Sequence, residues 1–219
     1  MNELFQGIFE YRQKLWTKNL VPGQRVYGEE LLTVDGTEYR NWNPYKSKLC
    51  AALKKGLLEF PITKDQSILY LGSAEGTTLS HLSDILEGTG VLIGIDVSAR
   101  TVPKLLKISE KRPHLIPILA DATKPEEYPA EIREISFDFL FQDVSQKNQA
   151  EIFAQNLALL KKNGHGMLVI KASSIDSQTP ADTVIAREAN ALENHVTILQ
   201  IVSLEPFEKK HALIHCQKK

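Results

Sequence analysis

Cysteine is scarce: the chain holds two, Cys50 and Cys216. Two isolated cysteines cannot build a disulfide framework or a zinc site, so a reducing, intracellular and cytoplasmic setting is expected, with no metal. No apolar run approaches the roughly 18 residues that span a bilayer, so no membrane partner is expected. The opening stretch MNELFQGIFEYRQK has no basic region followed by an apolar one, and a secretory signal is therefore not expected. Internal repeats and low-complexity tracts are lacking as well. An excess of positive charge is also missing, with 26 basic and 27 acidic side chains. Proteins that grip nucleic acid unaided carry a basic excess, because phosphate neutralisation dominates affinity. If the substrate is nucleic acid, another component does most of the gripping.

What remains is an ordinary globular composition, 42% hydrophobic and 24% charged over 219 residues, the size of one domain with a small appendage. The organising stretch is SILYLGSAEGTT, from Ser67 to Thr78. A short apolar run leads into Gly72 and Gly76, and helical spacing follows through Leu79, Leu82, Ile85 and Leu86. Strand, glycine turn and helix make the first half of a βαβ unit. Gly72 allows close approach of backbone to a ligand, and the helix start offers unpaired N–H groups. The next strand ends at Asp96, whose carboxylate can accept from both hydroxyls of a ribose. The spacing is GxxxG, not GxGxxG, and no GxxxxGK[ST] occurs, so neither the dinucleotide fingerprint nor a P-loop is present. A turn with little provision for pyrophosphate suits S-adenosylmethionine; a purely structural turn in another α/β protein is the alternative at this point.

From residue 67 onward strands and helices alternate. Strands are expected at 67–71, 91–95, 115–119, 137–142, 166–171, 197–203 and 211–216, and helices near 77–87, 99–110, 126–134, 147–161 and 179–194. The central strands are continuous apolar runs, which fits a parallel sheet covered on both faces. No helix separates the last two, so the last strand is antiparallel. The expected fold is α/β, a Rossmann-like sheet of seven strands of the S-adenosylmethionine-dependent methyltransferase type, spanning 46–219. Alternation over Leu4–Tyr11 and Arg25–Val34, with turn signals at Pro22-Gly23 and Asp35-Gly36, predicts a small β-rich N-terminal subdomain over 1–45. Between them Ser47–Phe60 has helical spacing, stopped by Pro61.

Ligands of open α/β sheets sit at the carboxyl ends of the strands. Successive strands deliver Asp96, Asp121, Asp143 and Lys171 there. A single aspartate after a strand is as readily a helix cap; a row of them ending in an amine reads as a site. Lys171 closes the run MLVI, so it starts in the interior and ends in the cleft, where partial desolvation and a carboxylate such as Asp143 pull oppositely on its proton. A buried structural ion pair is the other reading of that pair. Lys48 and His211 would each pass for surface residues alone.

These residues sit in stretches that resemble the fibrillarin family, its archaeal form in particular. The stretches are TKNLVPGQRVYGEELL, EYRNWNPYKSKLCAAL, ILYLGSAEGTTLSHLSDI, GIDVS, PILADATKPEEY, FQDVSQ, VIKASSID and LEPFEKKHAL, in order from Thr17. The first sixteen residues carry no part of the likeness. The resemblance implies an S-adenosylmethionine-dependent RNA 2′-O-methyltransferase of the box C/D ribonucleoprotein acting on ribosomal or transfer RNA. It implies as partners a Nop-family scaffold protein, a kink-turn-binding protein of ribosomal type, a box C/D guide RNA and the target RNA. It carries the family's cofactor contacts to Thr77, Thr78, Asp96, Val97, Asp121, Ala122, Asp143, Val144, Ser145 and Gln146. Its lysine–aspartate–lysine–histidine tetrad falls on Lys48, Asp143, Lys171 and His211. There are departures: Asp96-Val97 where glutamate-phenylalanine is frequent, Ser145 for alanine, Lys46 for arginine, and Ala172 as in eukaryotic members. Two other functions stand beside this one: a non-catalytic structural subunit of the same particle, and a small-molecule methyltransferase, for which no lid insertion is visible between the strands.

Overall fold

Five short antiparallel strands come first: β1 (Asn2–Phe5), β2 (Ile8–Tyr11), β3 (Lys14–Lys18), β4 (Leu31–Val34) and β5 (Thr37–Trp42). They lie in the order β1-β2-β3-β5-β4, in a computed structural model that describes all 219 residues. Asp35 and Gly36, at φ 49° and 77°, form the two-residue link between β4 and β5. A hairpin turn with both central residues left-handed matches the twist of its strands, which is why Asp-Gly stands there. Leu4–Tyr11 holds short strands as expected, a hairpin broken at Gly7 (φ 75°). One expectation needs correction. Arg25–Glu30 is not strand at all, because the Glu29 carboxylate accepts from the N–H groups of Val26 (2.9 Å) and Tyr27 (2.8 Å). That local bonding gives the backbone a partner other than a neighbouring strand.

The chain then forms α1 (Lys48–Lys54) and enters the large sheet through β6 (Ser67–Leu71), α2 (Thr77–Ile85), β7 (Val91–Asp96), α3 (Val102–Ser109), β8 (Leu115–Leu119), α4 (Ala130–Arg133) and β9 (Phe137–Gln142). It continues through α5 (Gln149–Asn156), β10 (Leu160–Lys171), α6 (Ala172–Ile175), α7 (Ala181–Leu192), β11 (Val196–Ser203) and β12 (His211–Lys218). The order is β11-β12-β10-β9-β6-β7-β8. The seven-stranded sheet with an antiparallel last strand is thus as expected, with β12 inserted between β10 and β11 and antiparallel to both.

Several boundaries differ. Helix α1 ends at Lys54 and the chain turns at Gly56 (φ 89°), so Pro61 is not its terminator. The expected helix over 126–134 is a 3₁₀ turn at Pro125–Glu127 followed by the single turn of α4, since Pro129 cannot continue a helix. The one expected over 147–161 stops at Asn156, and Leu160 already pairs with Phe137 as the start of β10.

Side chains alternate across the sheet. Ile68, Tyr70, Phe139, Phe141, Met167 and Val169 face a core of 26 buried residues shared with α1, α2 and the N-terminal Ile8, Leu15 and Trp42. Leu69, Leu71, Leu140, Leu168 and Ile170 face a second core of 22 under α5 and α7. Two cores of similar size explain why the central strands read as unbroken apolar runs.

The small sheet is tied to α2 by a buried polar network. Asp84 accepts from Arg40 Nη1 (2.9 Å), Arg112 Nη1 (2.7 Å), Thr17 Oγ1 (2.8 Å) and Leu20 N (3.1 Å). Arg40 Nε also donates to Glu29 Oε1 (2.6 Å), and the Arg40 and Glu29 side chains are fully buried. His81 lies between Thr17 Oγ1 and Tyr27 Oη at 2.8 Å each and stacks on Trp42. Burial, then the Arg40 and Arg112 guanidinium groups, push His81 well below the usual histidine range. Thr17 gives its proton to Asp84 and Tyr27 gives its own to Asn41 O (2.8 Å), so both hydroxyl oxygens face His81 as acceptors and the neutral ring donates to one of them. Burial likewise lowers His114, helped by Arg112, and lowers His215 to about 4, helped by His165. These histidines are neutral in the fold but take up protons once unfolded, so stability falls as pH drops through about 6.5. Each should weaken it by about 1.4 kcal/mol per pH unit until its folded value is reached. Urea unfolding at pH 7.5 and 5.5 should show a lower midpoint at 5.5, and an unchanged midpoint would contradict the neutral assignment.

Candidate functional site

At the carboxyl end of the sheet, where β6 and β9 lie side by side, a cavity of about 460 Å³ opens. That is within the range of ligand pockets. Its floor is the glycine turn. Gly72 sits at φ 79°, and a Cβ there would come 2.6 Å from the backbone oxygen of Asp143. Asp143 N in turn donates to Leu71 O (2.9 Å). Backbone cannot retreat as a flexible side chain can, so only glycine lets the two strand ends close. Gly72→Ala should cost about 1–3 kcal/mol of stability from left-handed strain and overlap, measurable by urea unfolding. Gly76, at φ 85°, starts α2 and would meet only the tips of Leu105 and Ile108.

One wall is Asp96 at the end of β7. Its Oδ2 accepts from Ala74 N (2.7 Å) and its Oδ1 from Ser98 N (2.8 Å). Each bond uses one acceptor position per oxygen, leaving the carboxylate capacity for two hydroxyl donors. Val97 is 62% exposed at the rim. The opposite wall is the loop after β9, with Val144, Ser145 and Gln146, while Ala120 and Ala122 line the base.

The charged centre is Asp143. Lys48 Nζ donates to its Oδ2 (3.1 Å), and Lys171 Nζ lies 2.7 Å from its Oδ1. Lys171 directs its hydrogen bonds to Asp143 O (3.1 Å) and Ser145 Oγ (3.0 Å), so the contact with Oδ1 is an ion pair without good hydrogen-bond geometry. Glu208 Oε1 stands 3.8 Å from Lys48. With Asp143 and Glu208 the two lysines balance in charge, and their mostly shielded amines supply donors suited to an oxyanion. Lys48 is positioned by Ser47, which caps α1 through Cys50 N and bonds Thr78 Oγ1 at 2.9 Å. The register of β10 with β12 sets His211 directly beside Lys171. Its Nδ1 lies 2.7 Å from Lys209 O, leaving Nε2 free.

Of the residues singled out in the sequence, Lys48, Gly72, Asp96, Val97, Ala122, Asp143, Val144, Ser145, Gln146 and Lys171 line this one cavity. The others do not. Thr78 is buried against Ser47, and Thr77 opens onto the neighbouring concavity. The Asp121 carboxylate turns back to Thr123 N and Oγ1, bonds that hold it below the usual carboxylate range. His211 borders a depression next to α7. Sequence reading missed Ala74, Ile95 and Ala120, small or apolar residues that line the cavity without any signature of their own, and Glu208.

A family model described as fibrillarin matches residues 1–219, so the likeness reaches the first sixteen residues as well. The fibrillarin-like rRNA/tRNA 2′-O-methyltransferase of Pyrococcus furiosus is 47% identical over 220 residues, 98% of this chain and 96% of that protein. The structure of Aeropyrum pernix fibrillarin with natively bound S-adenosyl-L-methionine superposes with a TM-score of 0.85 at 43% identity, covering 93% of this chain and 88% of that one. A fibrillarin/Nop5p complex gives a TM-score of 0.90 at 35% identity, with full coverage of both chains.

Proposed function

The chain belongs to the fibrillarin family, and from that premise we propose that it is an S-adenosylmethionine-dependent RNA 2′-O-methyltransferase acting on ribosomal and transfer RNA. The observation that carries this is the Lys48–Asp143–Lys171 cluster opening into the same cavity as the Gly72 turn and Asp96. The residues fit the cofactor: a floor that a Cβ would close, a carboxylate with free acceptor capacity for ribose hydroxyls, and a second carboxylate beside the amines. When bound, S-adenosylmethionine supplies an electrophilic methyl on a sulfonium. Gly72, Asp96, Val97, Ala122 and the loop Asp143–Gln146 would hold it, with Thr77, Thr78 and Asp121 supporting the surrounding backbone.

The protein's own part is alignment and charge placement. A ribose hydroxyl is a weak acid, so the group that shares or removes its proton matters. Lys171 takes that role: its amine accepts the proton as the 2′-oxygen gains the methyl. Asp143 orients both lysines, and Lys48 and His211 steer the ribose and its phosphates. We assign residues 1–45 to an accessory subdomain and 46–219 to the methyltransferase domain.

The near-neutral charge fits delegation of RNA binding. A Nop-family scaffold, a kink-turn-binding protein and a box C/D guide RNA would present the target in the cytoplasm. No helix is long and apolar enough to cross a membrane. The test is labelled methyl transfer to a matched guide–target duplex, with and without the scaffold and kink-turn proteins. Transfer is expected only in the full assembly; cofactor binding without transfer in every mixture would instead support a structural subunit.

A further inference from the structure

A second cluster of ligand-type side chains lies at the other end of β10. His165 and His215, fifty residues apart, face each other with His165 Nδ1 3.0 Å from His215 Nε2. Their rings are stacked at 5.2 Å. Glu59 joins them, each of the three offering an atom within 4.8 Å of the other two. His215 is 1% exposed, whereas Glu59 opens to solvent. The six-residue separation of His165 from Lys171 along a strand puts this cluster about 20 Å from the methyl-transfer site.

Three features make it a built site. The histidines are fixed by the β10–β12 pairing, with Met167 opposite His215 and His165 opposite Gln217. The connection carrying Glu59 is pinned on both sides. Gln200 of β11 donates to Gly56 O (3.0 Å) and accepts from Leu58 N (2.9 Å), while Leu57 and Phe60 are buried. The third feature is the nitrogen separation: with metal–nitrogen bonds of about 2.1 Å, a 3.0 Å gap corresponds to an N–metal–N angle of roughly 90°. A tetrahedral angle would need the nitrogens about 0.4 Å further apart at the same bond length.

We propose that Glu59, His165 and His215 form a binding site for a first-row divalent transition-metal ion, two imidazole nitrogens and one carboxylate, with the remaining positions open to water. Imidazole donors exclude magnesium and calcium, which take oxygen, and a near-right-angle bite favours nickel, copper or cobalt over tetrahedral zinc. The ion would take the place of the proton shared between the two histidines. It would staple the connection that follows α1 to β10 and β12, and α1 carries Lys48.

The test uses the full chain, stripped with chelator and titrated with Ni²⁺ and, as a spectroscopic probe, Co²⁺. One equivalent should bind, with cobalt absorption typical of nitrogen and oxygen ligands and a higher Tm in Ni²⁺. Glu59→Gln, at an exposed position that does not disturb the core, should weaken binding at least tenfold. His165→Ala should abolish the cobalt spectrum. Methyl transfer by Glu59→Gln should be unchanged in metal-free buffer. Absence of binding at micromolar metal would overturn the proposal. So would one equivalent bound equally well by wild type and both variants, since the ion would then sit elsewhere.

Discussion

Lys171→Ala should lower single-turnover methyl transfer in the assembled particle by about 10²–10⁴-fold, the range that a positioned proton acceptor supplies. The expectation rests on where the Lys171 amine is held. It is anchored to Asp143 O, Ser145 Oγ and the Asp143 carboxylate at the mouth of the glycine turn. Each anchor comes from the loop after β9, so the amine is fixed relative to the cofactor walls and not to the RNA. Cofactor affinity should therefore change by only a few-fold in the variant, because Gly72, Asp96 and Gln146 remain. Lys171→Arg should not rescue the rate, since a guanidinium stays protonated and cannot accept the hydroxyl proton. Near-wild-type transfer by Lys171→Ala would remove the lysine from the mechanism.

The second large effect is on stability. Asp84→Ala should cost about 3–5 kcal/mol, because it leaves the buried Arg112 without a counter-ion and removes one of the two that Arg40 has. Arg40 would retain Glu29, but Arg112 would lose its only carboxylate partner, and Thr17 and Leu20 N would lose their acceptor. For a chain of this size that is a fall in Tm of roughly 10 °C. The network joins the first sheet to α2, whose N-terminus borders the glycine turn. Thermal unfolding of Asp84→Ala checks this, and a loss under about 1 kcal/mol would show that the network is not worth what its burial implies.

Much of the methyltransferase sheet was legible because it is buried on both faces: runs such as SILYL and FDFLFQ have no other economical reading. Asp143 and Lys171 were legible for a related reason, as charged residues that close apolar strands. The N-terminal half was less so. Lys14–Lys18 and Thr37–Trp42 are strands whose partners lie in each other, information that no local pattern holds. The segment LKKNGHG straddles the expected helix end and strand start, yet the pairing of Leu160 with Phe137 draws all of it into β10. Likewise Arg40, His81, Asp84 and Arg112 are unremarkable in sequence, because only the fold brings them together. The clustering of Lys48 with Asp143 required the resemblance, for a lysine after NPYKS has no cleft-facing signature. His211 entered through the same likeness, and its adjacency to Lys171 is a matter of strand register.

The central claim is that this site delivers a methyl group to a ribose 2′-oxygen chosen by a guide. The most direct test is single-turnover transfer from labelled S-adenosylmethionine in the reconstituted particle, comparing a matched target RNA with one carrying a single 2′-deoxy nucleotide at the guided position. The account predicts stoichiometric labelling of the first RNA at that nucleotide and none of the second. Equal labelling of both would contradict it.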